Sequence, residues 1–197
     1  MPTVVLRTTT FYLVRHAHAD WSDTDDRPLS LAGRQAALAV TERLASKPIV
    51  AVLTSPSKRA IDTIQPLTAR LHLAPRIVGD LRERELPLVA ASEFDELVRE
   101  AWESPDRSPR GGESNARAQA RALAVMRAAV ADFPSAHVVL ATHGNLLALI
   151  LNGLDSTYGY EFWRRLSFPD IYRVSFDGPS LASIERIPLE ASGESTP

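Results

Sequence analysis

Cysteine is absent from the 197 residues. That excludes disulfides, thiolate nucleophiles and cysteine-ligated zinc. Lysine is almost absent too: of 22 basic residues, only Lys47 and Lys58 are lysines. Positive charge is therefore carried by arginine, which stays ionised at any working pH and offers a planar fork to phosphate or carboxylate. Neither sign of charge is in excess. At a net charge of −2 no global field recruits nucleic acid or anionic lipid, so any attraction for an anion must be local. No apolar run approaches the roughly 20 residues that span a bilayer. The stretch "MPTVVLRTTTFYLVRH" holds Arg7 and Arg15 and no small-residue cleavage site, so no signal peptide is expected and the chain reads as cytoplasmic. What remains, 45% hydrophobic and 23% charged residues, suits one globular domain with a sizeable core.

"TTFYLVRH" is β-branched and aromatic and reads as a buried strand. After the polar loop "ADWSDTDDRPL", Ser30 is predicted to N-cap a helix over "LAGRQAALAVTERLAS". Leu31, Leu38 and Leu44 are expected on its buried side, with Gly33 a weak point. "IVAVLTS" is a second strand. "SPSKRAIDTIQPLTARL" reads as a helix with Ser55 as N-cap and Pro56 at the first position, kinked or broken at Pro66. "PRIVGDL" reads as a short third strand, "SEFDELVREAW" as a helix and "ESPDRSPRGG" as a loop. A long helix is expected from Ser114 to Ala131, then a fourth strand, "AHVVLATHG", and a helix over "NLLALILNGL". "YGYEFWRRL" reads as an interface or a core helix, which leaves a homodimer open. "DIYRVSFDGPSLASIERIPL" is a hairpin turned by "DGPS", and residues 190–197 read as a flexible tail. Strands alternating with helices predict an α/β fold, a three-layer sandwich with a mostly parallel central sheet covered by helices. The whole chain, 1–197, reads as one domain, with 84–112 a small helical and loop insertion over the active site.

In such folds ligands sit beyond the carboxyl ends of the strands. Arg15 and His16 follow the first strand, Ser55 and Arg59 the second, Glu83 the third and His143 the fourth. A phosphate monoester asks for this set of groups. Its dianion needs fixed positive charge and donors, which Arg15 and Arg59 can supply, with His143 adding a donor if protonated, a state that two nearby arginines oppose unless the phosphate is bound. A neutral imidazole, His16, is a competent nucleophile, provided its other ring nitrogen donates to a fixed acceptor. The leaving oxygen needs an acid, worth roughly 10²–10⁴-fold. Glu83 and Glu85 are the candidates, since a dianionic neighbour favours a protonated carboxyl. No metal-ligand spacing stands out, and the scheme calls for no cofactor. Taken singly, each residue has a bland reading: a flanking arginine, a buried histidine, a solvated "RERE" run, a helix-capping histidine. The joint pattern carries the case. His72 and His137 read as structural, and His18 as a supporting or solvent-exposed group.

These residues lie in a recognisable series. "LVRHAHA" resembles the Arg-His signature of the histidine phosphatase superfamily, the phosphoglycerate mutase-like family. "TSPSKRAIDT" is similar to its SP-x-x-R-A-x-x-T segment, "LRE" at 81–83 to its acid motif, and "PRGGES" at 109–114 to its P-x-G-E-S loop. "ATHGNLLALI" is similar to its second histidine motif. The five motifs keep the family's order over about residues 10–177. The resemblance implies His16 as phosphoryl acceptor, Arg15, Arg59 and His143 as phosphate ligands, and Glu83 rather than Glu85 as acid/base. It places Gly144 and Asn145 near the substrate. Ser22 falls where many members carry asparagine, and Arg27, in "DDRPLSLAG", faces the cleft or caps its loop. "RERELPLVAA" lacks the tyrosine-glycine segment of the mutases, and Leu147 and Ala148 stand where an arginine is common. The expected function is a metal-independent phosphomonoesterase acting on a small phosphorylated metabolite. The alternatives are a cofactor-dependent phosphoglycerate mutase and a non-catalytic binder of phosphorylated ligands. Leu86, Leu88, Phe94 and Trp102 would line a roof over the cleft, or pack as ordinary core.

Overall fold

The computed structural model describes residues 8–20, 27–87, 89–108 and 111–189. Ser22, Leu88, Pro109, Arg110 and the 190–197 stretch lie outside them.

Strand β1 (Thr8–Arg15) runs through the middle of a six-stranded sheet. Its neighbours are β4 (His137–Thr142), parallel, and β5 (Asp170–Asp177), antiparallel. Beyond β4 come β2 (Ile49–Thr54) and a two-residue β3 (Arg76–Ile77), both parallel; beyond β5 comes β6 (Ser180–Arg186), antiparallel. The order is β3-β2-β4-β1-β5-β6. The expected third strand is thus cut short, and Gly79–Leu81 form a 3₁₀ turn instead.

Side chains alternate along each strand, and the core divides accordingly. Phe11, Leu13, Val138 and Leu140 face one side, where α4 (Asn115–Asp132) and α5 (Gly144–Leu154) cover them. Tyr12, Val14, Val139 and Ala141 face the other, against α1 (Leu31–Leu44) and α2 (Lys58–Leu71). This is the expected three-layer α/β arrangement. The remaining helices are α3 (Ala91–Glu103) and the short α6 (Tyr160–Arg164). They meet through Phe94 and Trp163, ring centroids 6.3 Å apart, and through a hydrogen bond from Tyr160 Oη to Asp95 at 2.8 Å. Among the described residues no helix is long and apolar enough to cross a membrane.

Three local expectations change. Leu31 and Leu38 are exposed on α1; its buried face is Gly33, Ala37, Val40, Thr41 and Leu44. Gly33 is there for closeness, since a Cβ would stand 2.0 Å from the His18 carbonyl oxygen. The α2 helix starts at Lys58 with Ser57 as N-cap, because the Ser55 hydroxyl is engaged by His143 and by the Ser57 N–H. Pro66 lies inside α2 without ending it. The flanking Ile64, Leu67 and Thr68 are buried, so packing outweighs the lost backbone hydrogen bond.

Candidate active site

The carboxyl ends of the parallel strands deliver the site. His16 follows β1, and its backbone N–H donates to Thr142 O at 2.9 Å, next to the start of α5. The residue is 8% exposed. Nδ1 lies 2.8 Å from Ala17 O. A carbonyl only accepts, so Nδ1 carries the hydrogen and the neutral ring presents a lone pair at Nε2. Arg59 Nε–H donates to that Nε2 at 3.3 Å. Burial pushes the His16 pKa down to about 3, with Arg59, Arg15 and Arg27 adding to the effect against the Ala17 bond. The imidazole is therefore neutral at ordinary pH.

The loop that locks this tautomer is itself held. Thr63 Oγ1 accepts the Ala17 N–H at 2.9 Å and donates to Arg59 O at 2.6 Å. One turn of α2 thus positions both the arginine and the histidine, which accounts for the spacing of Arg59 and Thr63.

His143 is wholly buried, its ring centroid 5.2 Å from that of His16. Nε2 is 2.7 Å from Ser55 Oγ, and Nδ1 is buried without a hydrogen-bond partner. Its pKa is pushed well below the usual imidazole value by burial first, then by His16, Arg59, Arg121 and Arg15. The arginines beside it thus oppose its protonation, as the sequence predicts. A neutral His143 can still donate from Nδ1 if Nε2 accepts the Ser55 hydroxyl.

Arg15 Nη1 donates to Leu166 O at 2.8 Å and Ser167 O at 3.2 Å, while its Nε has no partner. Burial lowers its pKa to about 10, opposed by Glu83 and Asp170. Gly144 leaves room for it: a Cβ there would stand 3.0 Å from the guanidinium. Arg27 is half-buried, near enough for its charge to act on His16.

Glu83 reaches the N-terminus of α5. Oε1 accepts the Leu146 N–H at 2.9 Å and the Arg84 N–H at 2.9 Å; Oε2 accepts the Asn145 N–H at 3.1 Å. The carboxylate thereby caps a helix whose own N-cap, His143, gives no side-chain bond. Glu85, the other candidate, is exposed and pairs with Arg82 at 3.3 Å.

Sequence reasoning passed over the braces of this segment. Arg121 on α4 binds both carboxylate oxygens of Glu113 at 2.8 Å and donates to Arg82 O at 3.0 Å and Glu83 O at 3.3 Å. Ser114, next to Glu113, N-caps α4 by accepting the Arg117 N–H. The "GES" stretch is thus a brace for the chain that carries Glu83. The partnership of residues 113 and 121 across a helix start has no sequence signal. Also missed were Phe168, which covers Arg15, and Arg84, 2% exposed with no hydrogen-bond partner on its guanidinium. His18 is exposed, with Nδ1 3.0 Å from Ser30 Oγ; His137 Nδ1 lies 3.1 Å from Tyr12 Oη, and His72 ends α2. Trp102 packs against the core. Among the described residues no three His, Asp or Glu side chains converge as a metal ion would require.

Residues 11–179 match the histidine phosphatase superfamily (branch 1). A glucosyl-3-phosphoglycerate phosphatase of Mycobacterium tuberculosis (strain CDC 1551 / Oshkosh) is 29% identical over 166 residues, 74% of each chain. A structure of the mycobacterial glucosyl-3-phosphoglycerate phosphatase with inorganic phosphate is 27% identical, with a TM-score of 0.73, covering 93% of this chain and 97% of that one. A phosphoglycerate mutase from Bacillus anthracis str. Sterne is 16% identical, with a TM-score of 0.72, covering 92% of this chain and 93% of that one. At that identity the likeness is one of fold.

Proposed function

Because the chain belongs to the histidine phosphatase superfamily (branch 1), we propose that it is a phosphomonoesterase working through a phosphohistidine at His16. The observation that carries the reading is the locked tautomer. Nδ1–H is tied to Ala17 O, so the nucleophilic lone pair is at Nε2, in a ring that burial keeps neutral.

In this reading the phosphoryl group seats against Nε2 of His16. Its oxygens take the Arg59 guanidinium, the partnerless Nε–H of Arg15 and Nδ1–H of His143. Buried polar groups without partners are rare and costly, and phosphate oxygens would complete both. Nε2 attacks phosphorus; the P–N bond forms as the P–O bond to the alcohol breaks. Glu83 gives its proton to the leaving oxygen. A carboxylate has about four acceptor positions, and three are taken by backbone N–H groups, two of them on Oε1. The proton therefore belongs on Oε2. In the second half, water gives a proton back to Oε2 and its oxygen to phosphorus, releasing phosphate and free His16. The charge is handled by guanidinium groups and helix ends, so the scheme needs no metal ion.

The substrate is a small phosphorylated metabolite. The glucosylated phosphoglycerate named for the mycobacterial relative is the first ester to assay. A mutase must also hold the carboxylate of its substrate. Leu147 and Ala148 are wholly buried in the core, so no such contact comes from them.

The test is release of phosphate from p-nitrophenyl phosphate and from that ester, with a chelator present, by the native protein and His16→Ala. Chelator-resistant turnover by the native protein, lost in the variant, and an acid-labile phosphoryl group trapped on His16 are expected. Equal turnover by both proteins would overturn the assignment of His16.

A further inference from the structure

Among the described residues, Phe168 is one of seven large apolar side chains that are exposed, and it is 46% exposed. It belongs to none of the packed apolar clusters. Its ring instead lies over the Arg15 guanidinium, 3.3 Å from that carbon to the ring centroid. The His16 ring is 5.5 Å away and the His18 ring 6.2 Å away. Among the described residues, no other exposed large apolar side chain has a ring contact with these histidines. The aromatic surface thus runs from the proposed phosphoryl acceptor outward to an exposed histidine.

The ring is also braced. Arg15 donates to the carbonyls of Leu166 and Ser167, just before it. The Ser167 N–H donates to Asp170 Oδ2 at 3.1 Å, and Asp170 is paired with Arg186 at 2.8 Å. A wall fixed in this way can favour one shape of ligand, because little ordering is left to be done on binding.

We propose that Phe168 is the specificity-determining residue of this site, packing against the alcohol part of the ester and selecting monoesters whose leaving group has a flat apolar face, an aryl ring or a pyranose. The proposal rests on the phosphatase reading above. With phosphorus at His16 Nε2, the alcohol must leave on the side away from the imidazole, and Phe168 borders both the imidazole and the open solvent. Aromatic faces attract flat C–H and π surfaces beyond simple burial. A short alkyl chain offers little of either.

The test compares kcat/KM for p-nitrophenyl phosphate, glucose 1-phosphate and ethyl phosphate, in the native protein, Phe168→Ala and Phe168→Leu. The inhibition constant of inorganic phosphate is measured beside them and reports the phosphate seat, Arg15 included, without any alcohol part. Leucine keeps bulk without the flat face, and its thermal melt shows whether the segment is still folded. In both variants the flat-faced esters are expected to lose about three- to tenfold relative to ethyl phosphate, with phosphate inhibition little changed. A loss confined to the aryl or to the pyranosyl ester would support the proposal and name the class. If all three esters and phosphate weaken together, Phe168 only positions Arg15 and the proposal fails. If the native protein turns over neither these esters nor the glucosylated phosphoglycerate, the phosphatase reading fails and takes the proposal with it. Turnover with an unchanged ratio sinks the proposal alone.

Discussion

At the scale of single residues, the unusual feature is a neutral, buried histidine surrounded by arginines. Its cost is a dependence on pH. His16 titrates at about 3 in the folded chain against about 6.5 when unfolded. Between those values the unfolded chain holds a proton that the folded chain does not, so stability rises with pH. The contribution is complete above about 6.5 and is lost as pH falls toward 3. His143, also held neutral by burial, acts in the same direction. Melting temperature in phosphate-free buffer is therefore expected to fall as pH drops below about 6.5. His16→Gln should shallow that dependence by about one proton, or about 1.4 kcal/mol per pH unit. An identical slope in the variant would mean that His16 is protonated in the native fold.

At the scale of elements, the decisive contact joins a loop to a helix end. The helix α5 begins at a histidine that does not cap it, and Glu83 caps it from another segment. One carboxylate thus serves the fold and, in the proposed mechanism, the chemistry. The two roles separate by substitution. Glu83→Gln keeps an acceptor for the helix but has no acidic proton. It is expected to lower kcat roughly 10²–10⁴-fold, with a melting temperature between those of the native protein and Glu83→Ala, because its amide nitrogen has to face one of the backbone N–H groups. Glu83→Ala should lower kcat similarly and also cost about 0.5–2 kcal/mol as the cap is lost. Thermal melts and steady-state assays on the pair check this; equal melting temperatures would remove Glu83 from the capping role. Other elements work by closeness. Thr63 on α2 ties down Ala17, and Gly33 on α1 lets the His18 carbonyl approach.

At the scale of the whole molecule, four stretches distant in sequence assemble one positively charged, partly unsatisfied seat. Anything that fills it stabilises the entire fold by mass action. Inorganic phosphate at a hundred times its dissociation constant should add about 2.7 kcal/mol, roughly 5–10 °C in melting temperature for a domain of this size. Arg59→Ala should abolish the shift. In the proposed seat Arg59, whose Nε lies 3.3 Å from His16 Nε2, binds the phosphate; a full shift in that variant, read by differential scanning fluorimetry, would place the phosphate elsewhere.

Much of this was legible in the sequence. The order of strands and helices follows from periodicity, and burial on both faces follows from the continuous apolar character of "FYLV" and "VVLA". Arg15, His16, Arg59, Glu83 and His143 could be picked out because the carboxyl ends of parallel strands meet at one edge. Local chemistry also determined that His16 needs a backbone acceptor. Only the tertiary structure decided the rest. Leu31 and Leu38 point outward because α1 turns its small residues to the sheet. His143 stays neutral because burial and the neighbouring arginines both disfavour its protonated form. Glu83 differs from Glu85 because one reaches the N–H groups of α5 and the other reaches solvent. The pairing of Glu113 with Arg121 and of Arg15 with Phe168 joins residues by proximity in space. Periodicity and motif spacing record which way a side chain faces along its own element. They do not record what another element places opposite it, and the charge states and braces of this site depend on that.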